Sequence, residues 1–126
     1  MAALPCPCGR AQPYERCCGR YLDGGETPAN AEILMRSRYT AYTRLRADYL
    51  RATWHPDTCP AELNVHEPPT KWLGLEVKAH QQQDAEHATV EFTARYKIQG
   101  RAFRMHEISR FVRVAGKWLY LDGEVT

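Results

Sequence analysis

The sequence predicts an α+β fold in which helices pack against a curved antiparallel sheet of about four strands. Two patterns in the 126-residue sequence predict helices in its first half and strands in its second half. Apolar residues recur at helical spacing between residues 35 and 49, and from residue 71 onward they alternate with polar ones. A third observation, four cysteines within residues 6 to 18, sets apart a small N-terminal segment. We therefore expect two units, residues 1–25 and residues 26–126.

The composition indicates to which broad class of protein the chain belongs. A chain of this length with 44% hydrophobic residues can bury a core of its own, which argues against disorder. No apolar run approaches the roughly 18 residues that a membrane span needs, and the first residues lack the apolar stretch of a signal peptide. We expect a cytoplasmic protein without a membrane partner.

The helical part is predicted to begin at Thr27, with Thr27 as N-cap and Pro28 in the first turn. One helix, or two with a break near residues 44–48, should continue to about Thr53. Four prolines then indicate a loop over residues 56–70. The buried stripe of the helix is predicted from positions spaced by three and four residues: Met35, Tyr39, Tyr42, Leu45 and Tyr49.

Two tight turns fix the expected register of the sheet. Gln99 with Gly100 and Ala115 with Gly116 are typical of two-residue hairpin loops. Counting outward from them places Phe92 opposite Glu107, Phe111 opposite Tyr120 and Ser109 opposite Asp122. One face is then apolar apart from four residues, which are Glu107, Ser109, Arg113 and Asp122. His106 falls on the other face.

The cysteine pattern predicts a metal site. Cys6 and Cys8 are followed after eight residues by the adjacent pair Cys17 and Cys18. In a reducing compartment, four thiolates in a segment too small to bury a core favour a tetrahedral metal ion. Four protein ligands leave no open coordination position, so we expect a structural zinc ion and no catalysis by it. The alternative is reactive or disulfide-paired cysteines, including a strained redox pair of Cys17 with Cys18.

These residues resemble a known family. CPCG followed by CCG is similar to the SEC-C motif, a small zinc-binding module. The blocks MRSRYTAYTRLRADYLRATWHP at 35–56 and FTARYKIQGRAFRMHEISRFVRVAGKWLYLDG at 92–123 resemble the bacterial YchJ family, in which that module precedes an NTF2-like domain. The resemblance implies zinc at the four cysteines and a cystatin-like cone of helices against a curved sheet. Arg10, Ala11 and Gln12 depart from the usual Ser, Gly, Lys-like stretch of the module.

Polar residues on the predicted inner face are the candidates for an active site, because NTF2-like cones often enclose a pocket. Burial would raise the pKa of Glu107 or Asp122 and suit one of them to acid or base chemistry. Ser109 is expected within hydrogen-bonding reach of Asp122, and Tyr39 and Trp118 would form walls.

A structural role for the same carboxylates is the alternative. Arg36 or Arg38 would reach from the helix, pair with these carboxylates and fasten the helix to the sheet. Cys59, in the predicted loop, receives no role.

Two kinds of function remain open from the sequence. The first, implied by the resemblance to the SEC-C module, is a non-enzymatic, zinc-stabilised protein. It would recognise another macromolecule, first of all a protein, through residues 1–22 and their junction with the NTF2-like domain. The second is a small-molecule-binding or enzymatic cone that uses Glu107, Ser109 and Asp122. Five arginines between residues 36 and 51 also make nucleic acid a candidate partner, although such a cluster is more often a solvated helix face.

Overall fold

A computed structural model describes residues 5–63, 65 and 69–126. The predicted α+β fold is confirmed, with helices packed on a four-stranded antiparallel sheet. Residues 1–4 of the predicted N-terminal unit, and residues 64 and 66–68 of the predicted loop, lie outside the described residues. The elements in chain order are a 3-10 turn at Tyr14–Arg16, α1 (Gly19–Leu22), α2 (Ala31–Thr43), α3 (Ala47–Ala52), β1 (Lys71–Gln82), β2 (His87–Ile98), β3 (Arg101–Val114) and β4 (Lys117–Val125).

The sheet is a meander in which each strand pairs with the next. Both predicted hairpin turns are present: Gln99 and Ala115 each have a φ of 51°, and the glycine after each has a φ of 79°. Two left-handed residues in a two-residue loop match the twist of the flanking strands. The predicted register between β2 and β3 is confirmed, because Phe92 lies opposite Glu107.

The predicted register between β3 and β4 is correct near the turn and wrong beyond it. Phe111 lies opposite Tyr120, as expected, but Arg110 lies opposite Asp122. Leu121 is therefore an extra residue on β4, and this β-bulge turns the following side chains to the opposite face. Ser109 faces Gly123 instead of Asp122.

Helix α2 begins later than the sequence predicts. Asn30 is its N-cap, with the side-chain oxygen accepting a hydrogen bond from the Ile33 N–H at 2.9 Å, so the expected start at Thr27 is wrong. Asparagine is among the best N-caps and here satisfies a free backbone donor of the first turn. The predicted break between two helices is confirmed at Leu45, whose φ of 57° ends α2 before α3 begins.

Two apolar clusters meet at α2. The sheet core lies between α2 and the sheet and includes Leu34, Met35, Tyr39 and Phe111. The cysteine core contains the four N-terminal cysteines together with Leu22, Ala41 and Leu50, so the N-terminal segment packs directly on α2 and α3.

Within the described ranges, no helix has the length and apolar character needed to cross a membrane.

Candidate metal centre and candidate binding cavity

The fold brings the four N-terminal cysteines together. Their Sγ atoms all lie within 4.8 Å of one another, and all four residues are buried. None forms a disulfide, and the Sγ atoms of Cys8 and Cys17 are 3.6 Å apart. Four zinc–sulfur bonds of about 2.3 Å in a tetrahedron would separate the sulfurs by about 3.8 Å. The four residues could therefore bind a metal ion, and their spacing fits zinc.

Local backbone contacts hold the sulfurs in place. The Cys6 N–H donates to the Gln12 carbonyl at 2.8 Å, and the Gly9 N–H donates to the Cys6 carbonyl at 3.2 Å. Gly9 has a φ of 95°, a conformation that glycine adopts without strain. Gly19 allows the close approach of Tyr14, because a Cβ there would lie 2.8 Å from the Tyr14 carbonyl oxygen. These turns direct both cysteine pairs inward.

Repulsion among the four thiolates couples metal binding to the loss of the thiol protons. Burial and the neighbouring Cys8 raise the pKa of Cys17 to about 12. The Cys18 and Cys8 thiols donate hydrogen bonds to Cys6 and lower its pKa, whereas donation to Cys6 raises the pKa of Cys18. Four adjacent thiolates in a buried site repel one another, so the set loses all its protons only when a cation compensates the charge.

Polar contacts attach this segment to α2 and to the turn after it. Arg36 Nη1 donates to the Cys8 carbonyl at 2.8 Å, while its Nε pairs with Glu32 at 3.0 Å. Arg46 donates to the Leu22 carbonyl and pairs with Asp23 at 2.6 Å. The cysteine segment is thus attached to the helices by side-chain contacts and is not a freely attached appendage.

A cavity of about 270 Å³ lies between α2 and the inner face of the sheet. Most of its wall is aromatic, and one carboxylate, that of Glu107, contributes to it. The lining residues are Met35, Arg38, Tyr39, Tyr42, Trp54, Trp72, Phe92, Ala94, Met105, Glu107, Ser109, Phe111 and Tyr120.

Glu107 is held at one end of the cavity by neutral donors. Its Oε2 accepts a short hydrogen bond from the buried Ser109 hydroxyl and a second, at 3.3 Å, from the Tyr120 hydroxyl. Gly123 leaves room for this arrangement, because a Cβ at that position would collide with the Glu107 carboxylate. Burial and the negative charge of Glu107 raise the pKa of Tyr120, which therefore stays a hydrogen-bond donor at neutral pH.

Arg38 lies on the α2 side of the same cavity. Its side chain is buried, and its Nη1 donates to the Leu50 carbonyl at 2.9 Å and to Thr53 Oγ1 at 2.8 Å. The guanidinium carbon lies 4.8 Å from the Trp54 ring centroid and 4.6 Å from that of Tyr120. Burial lowers the pKa of Arg38, but an arginine keeps its charge at neutral pH.

Comparison with known proteins identifies the family. A family model described as the YchJ middle NTF2-like domain matches residues 30–123, and a SEC-C motif model matches residues 4–20. The chain belongs to the YchJ-like family. A UPF0225 protein of Cupriavidus pinatubonensis is 59% identical to this YchJ-like protein, over 96% of its chain and 88% of the relative. A UPF0225 protein of Ralstonia nicotianae is 57% identical, over 96% and 91% of the two chains.

Two solved structures share the fold of this YchJ-like protein. The solution structure of a SEC-C motif containing protein from Rhodopseudomonas palustris has a TM-score of 0.85 and 32% identity, with 95% of this chain and 97% of that chain covered. The crystal structure of a SEC-C motif containing protein from Psychrobacter arcticus has a TM-score of 0.76 and 31% identity, over 97% and 82% of the chains. The predicted resemblance is confirmed.

Some predicted site residues of the YchJ-like protein lie elsewhere. Asp122 is on the outer face, where it pairs with Arg110 at 2.6 Å, so its expected place beside Ser109 is wrong. The cause is the bulge at Leu121. Trp118 is buried in the sheet core and does not line the cavity, unlike Tyr39.

The expected ion pair between α2 and the inner carboxylates is absent from the described structure. Arg36 pairs with Glu32 on its own helix, and Arg38 binds acceptors of α3 and of the residue after it. The turn at Leu45 brings the free carbonyls at the end of α3 to Arg38, a tertiary contact without a sequence signal.

The sequence candidates lacked Trp54, which lines the cavity, and Gly123, which lies against Glu107. Trp54 stacks on Arg38, and Gly123 makes space for Glu107. An isolated glycine inside a strand often marks a close approach of another group, so Gly123 carried a readable signal. Trp54 lies two residues after the end of α3, and its contact with Arg38 depends on how α2 and α3 pack.

Proposed function

We propose that this YchJ-like protein is a zinc-stabilised binding protein whose cavity takes up a small, largely apolar molecule. The observation that carries the proposal is the cavity of about 270 Å³, in which aromatic walls enclose Arg38 and Glu107. Small-molecule sites typically have apolar walls and a few convergent polar groups, and volumes of roughly 300–1,000 Å³. The cavity is just below that range, which suits a ligand of the size of a small metabolite.

Zinc has a structural role in this proposal. Four buried cysteines fill a tetrahedral shell, so no coordination position remains for a substrate or a water molecule. The cysteine core then orders a segment that is too short to fold on its own apolar residues. A reducing cytoplasm fits this role, because it keeps the thiols available to the metal.

A neutral fluorescent dye, N-phenyl-1-naphthylamine, tests the cavity. We expect its fluorescence to rise on binding the zinc-loaded wild type. Ala94→Leu should weaken dye binding at least about tenfold, because Ala94 lines the cavity and the added carbons would fill part of it. Ala102→Leu is the matched control, since Ala102 is exposed on the outer face of β3.

The two variants separate the cavity from unspecific binding. Circular dichroism and zinc content, measured on the same samples, show whether each variant keeps its fold and its metal. Equal dye affinity in both folded variants would place the dye outside the cavity and refute the proposal. A wild type that binds no dye would refute it as well.

A protein partner at the metal segment is a second candidate function. Arg10, Arg16, Arg20 and Arg36 line a shallow depression beside Cys17. Arg16 is exposed and belongs to none of the ion pairs among the described residues. A zinc ion with four thiolates has a formal charge of −2, which partly offsets this basic rim. The rim that remains would suit an acidic surface on a partner.

Charge reversal tests this second candidate. Co-purification from lysate is compared for the wild type, Arg16→Glu and Arg51→Glu, which changes an exposed arginine of α3. We expect a specific protein to be lost only with Arg16→Glu. Loss with both variants, or with neither, would argue against a partner at the metal segment.

Nucleic acid is a weaker candidate because the arginines of residues 36–51 are largely used inside the fold. Arg36, Arg38 and Arg46 bind groups of the protein, and the Arg44 guanidinium lies 3.6 Å from the Tyr14 ring centroid. Arg44 and Arg51 are the exposed members, and Arg51 donates a 3.4 Å hydrogen bond to the Ala61 carbonyl. We expect no salt-dependent binding when the protein is titrated with DNA or RNA at moderate salt.

A further inference from the structure

The positive charge of Arg38 has no counter-ion in the described part of the protein. The residue is 5% exposed, yet it belongs to none of the ion pairs formed there. Its two hydrogen bonds go to neutral acceptors, the Leu50 carbonyl and the Thr53 hydroxyl. A buried charge is costly unless an opposite charge compensates it. An anion supplied by a ligand would do so.

Hydrogen-bond donors also exceed acceptors around this guanidinium. Both bonds of Arg38 come from Nη1, so Nε and Nη2 have no acceptor in the described structure. Trp54 Nε1, in the same wall of the cavity, is a buried donor that also has no acceptor there. The Trp54 and Tyr120 rings, which are nearly perpendicular to each other, both contact the guanidinium and restrict its position. A planar fork of N–H groups matches the two oxygens of a carboxylate.

Glu107 does not fill this role, because it forms no ion pair with Arg38 in the described structure and its carboxylate accepts hydrogen bonds from neutral groups. The ring face of Tyr120 packs on Arg38, and its hydroxyl donates to the Glu107 carboxylate. Ser109 supplies a second donor to the same carboxylate oxygen. The carboxylate is thus held by neutral groups, and no ion pair compensates the charge of Arg38.

The rest of the wall defines the body of the ligand. Away from the polar end, the cavity is lined mainly by rings and thioethers, among them Tyr39, Trp72, Phe92 and Met105. Its volume of about 270 Å³ admits a small aromatic molecule of about one to three rings. A ligand with two negative charges would be repelled by Glu107 in the same cavity, whereas a single charge is balanced by Arg38.

Building on the cavity function above, we propose that the ligand is a small organic monocarboxylate. Its carboxylate binds Arg38, and its apolar body fills the aromatic part of the cavity. This assigns a ligand class to the cavity and makes Arg38 the residue that selects it.

Three probes of similar shape test the ligand class by nuclear magnetic resonance on the full-length, zinc-loaded protein. These are phenylacetate, its neutral analogue phenylacetamide, and phenyl phosphate, which has two charges above neutral pH. The indole N–H signals of Trp54 and Trp72 report on the cavity, and that of Trp118 is the internal control. We expect phenylacetate to bind about tenfold or more tightly than either other probe.

Two variants test whether Arg38 causes the preference for a carboxylate over a neutral amide. Arg38→Gln should remove the preference for phenylacetate over phenylacetamide. Arg51→Gln makes the same change of charge on the exposed surface of α3 and should keep the preference. If Arg38→Gln fails to fold, because Arg38 also holds the end of α3, the comparison of the three probes on the wild type decides.

The outcomes separate this inference from the cavity function. Equal affinities for phenylacetate and phenylacetamide would overturn the carboxylate assignment and leave the cavity function standing. Tighter binding of phenyl phosphate would overturn the proposal that the ligand has a single negative charge. A cavity that binds the neutral dye but none of the three probes would also overturn the ligand class, and failure of the dye itself would refute the proposed function.

Discussion

Leu50→Ala tests whether the cysteine core holds the metal. Leu50 is fully buried in the cysteine core, whereas Leu34 is equally buried in the sheet core on the other side of α2. Truncating a buried leucine to alanine costs about 2–5 kcal/mol, out of a total stability of about 5–15 kcal/mol. The two truncations therefore have the same chemistry and similar cost, but they weaken different clusters.

The location of the two leucines predicts how much the zinc release rates of the two variants should differ. If the lower limit of about 2 kcal/mol falls on the contact between the cysteine segment and the helices, detachment of that segment becomes about thirtyfold more frequent. Metal release should then accelerate by up to about thirtyfold in Leu50→Ala, because release requires the segment to open. Leu34→Ala should change the release rate by less than about threefold, since the sheet core lies outside the segment.

Two measurements on the zinc-loaded protein give the rate of zinc release and the free energy of unfolding. A chromogenic chelator, 4-(2-pyridylazo)resorcinol, reports the rate of zinc release, and urea unfolding reports the free energy of unfolding of each variant. Equal release rates in two variants with equal losses of stability would refute the reasoning. The cysteine core would then not control access to the metal.

Further predictions concern single positions. Gly123→Ala should displace the Glu107 carboxylate and lower dye affinity in the cavity while zinc content is unchanged, as measured by fluorescence and metal analysis. Cys17→Ser should reduce bound zinc from one per chain to a small fraction, whereas Cys59→Ser, which changes a cysteine outside the cluster, should leave zinc content intact. Ala115→Gly should raise the free energy of unfolding by up to about 1 kcal/mol in urea titrations, because Ala115 has a φ of 51° and glycine adopts that conformation without a Cβ penalty. A lower stability of Ala115→Gly would contradict this account of the turn.

The sheet was predictable where local signals determine it. The dipeptides Gln99-Gly100 and Ala115-Gly116 favour two-residue hairpins, and alternation of apolar residues then fixes which side chains face inward. The bulge at Leu121 has no comparable signal, because an extra residue in a strand changes neither its composition nor its turn. The face of Asp122 was therefore predicted wrongly, whereas that of Glu107 was predicted correctly.

The candidate sites were likewise predictable only where the sequence carries a local signal. The cysteine cluster was readable because four sulfur ligands in so short a segment are typical of a metal site, and the spacing of the sulfurs agrees. The surroundings of Arg38 were not readable, because its acceptors Leu50 and Thr53 reach it only through the packing of α3 on α2. A sequence identifies a buried arginine poorly, since its burial depends on contacts between distant elements.

Helix α2 also constrains how this chain can change over time. None of its residues is exposed, and residues 37–41 form an unbroken buried run. An ordinary surface helix has a water-facing stripe where substitutions accumulate with little effect, and α2 has none. Substitutions along it meet the cysteine core, the sheet core, α3, the cavity wall or an ion pair such as that of Glu32 with Arg36. Sequence drift in this family should therefore be slow along the whole helix, including its polar positions.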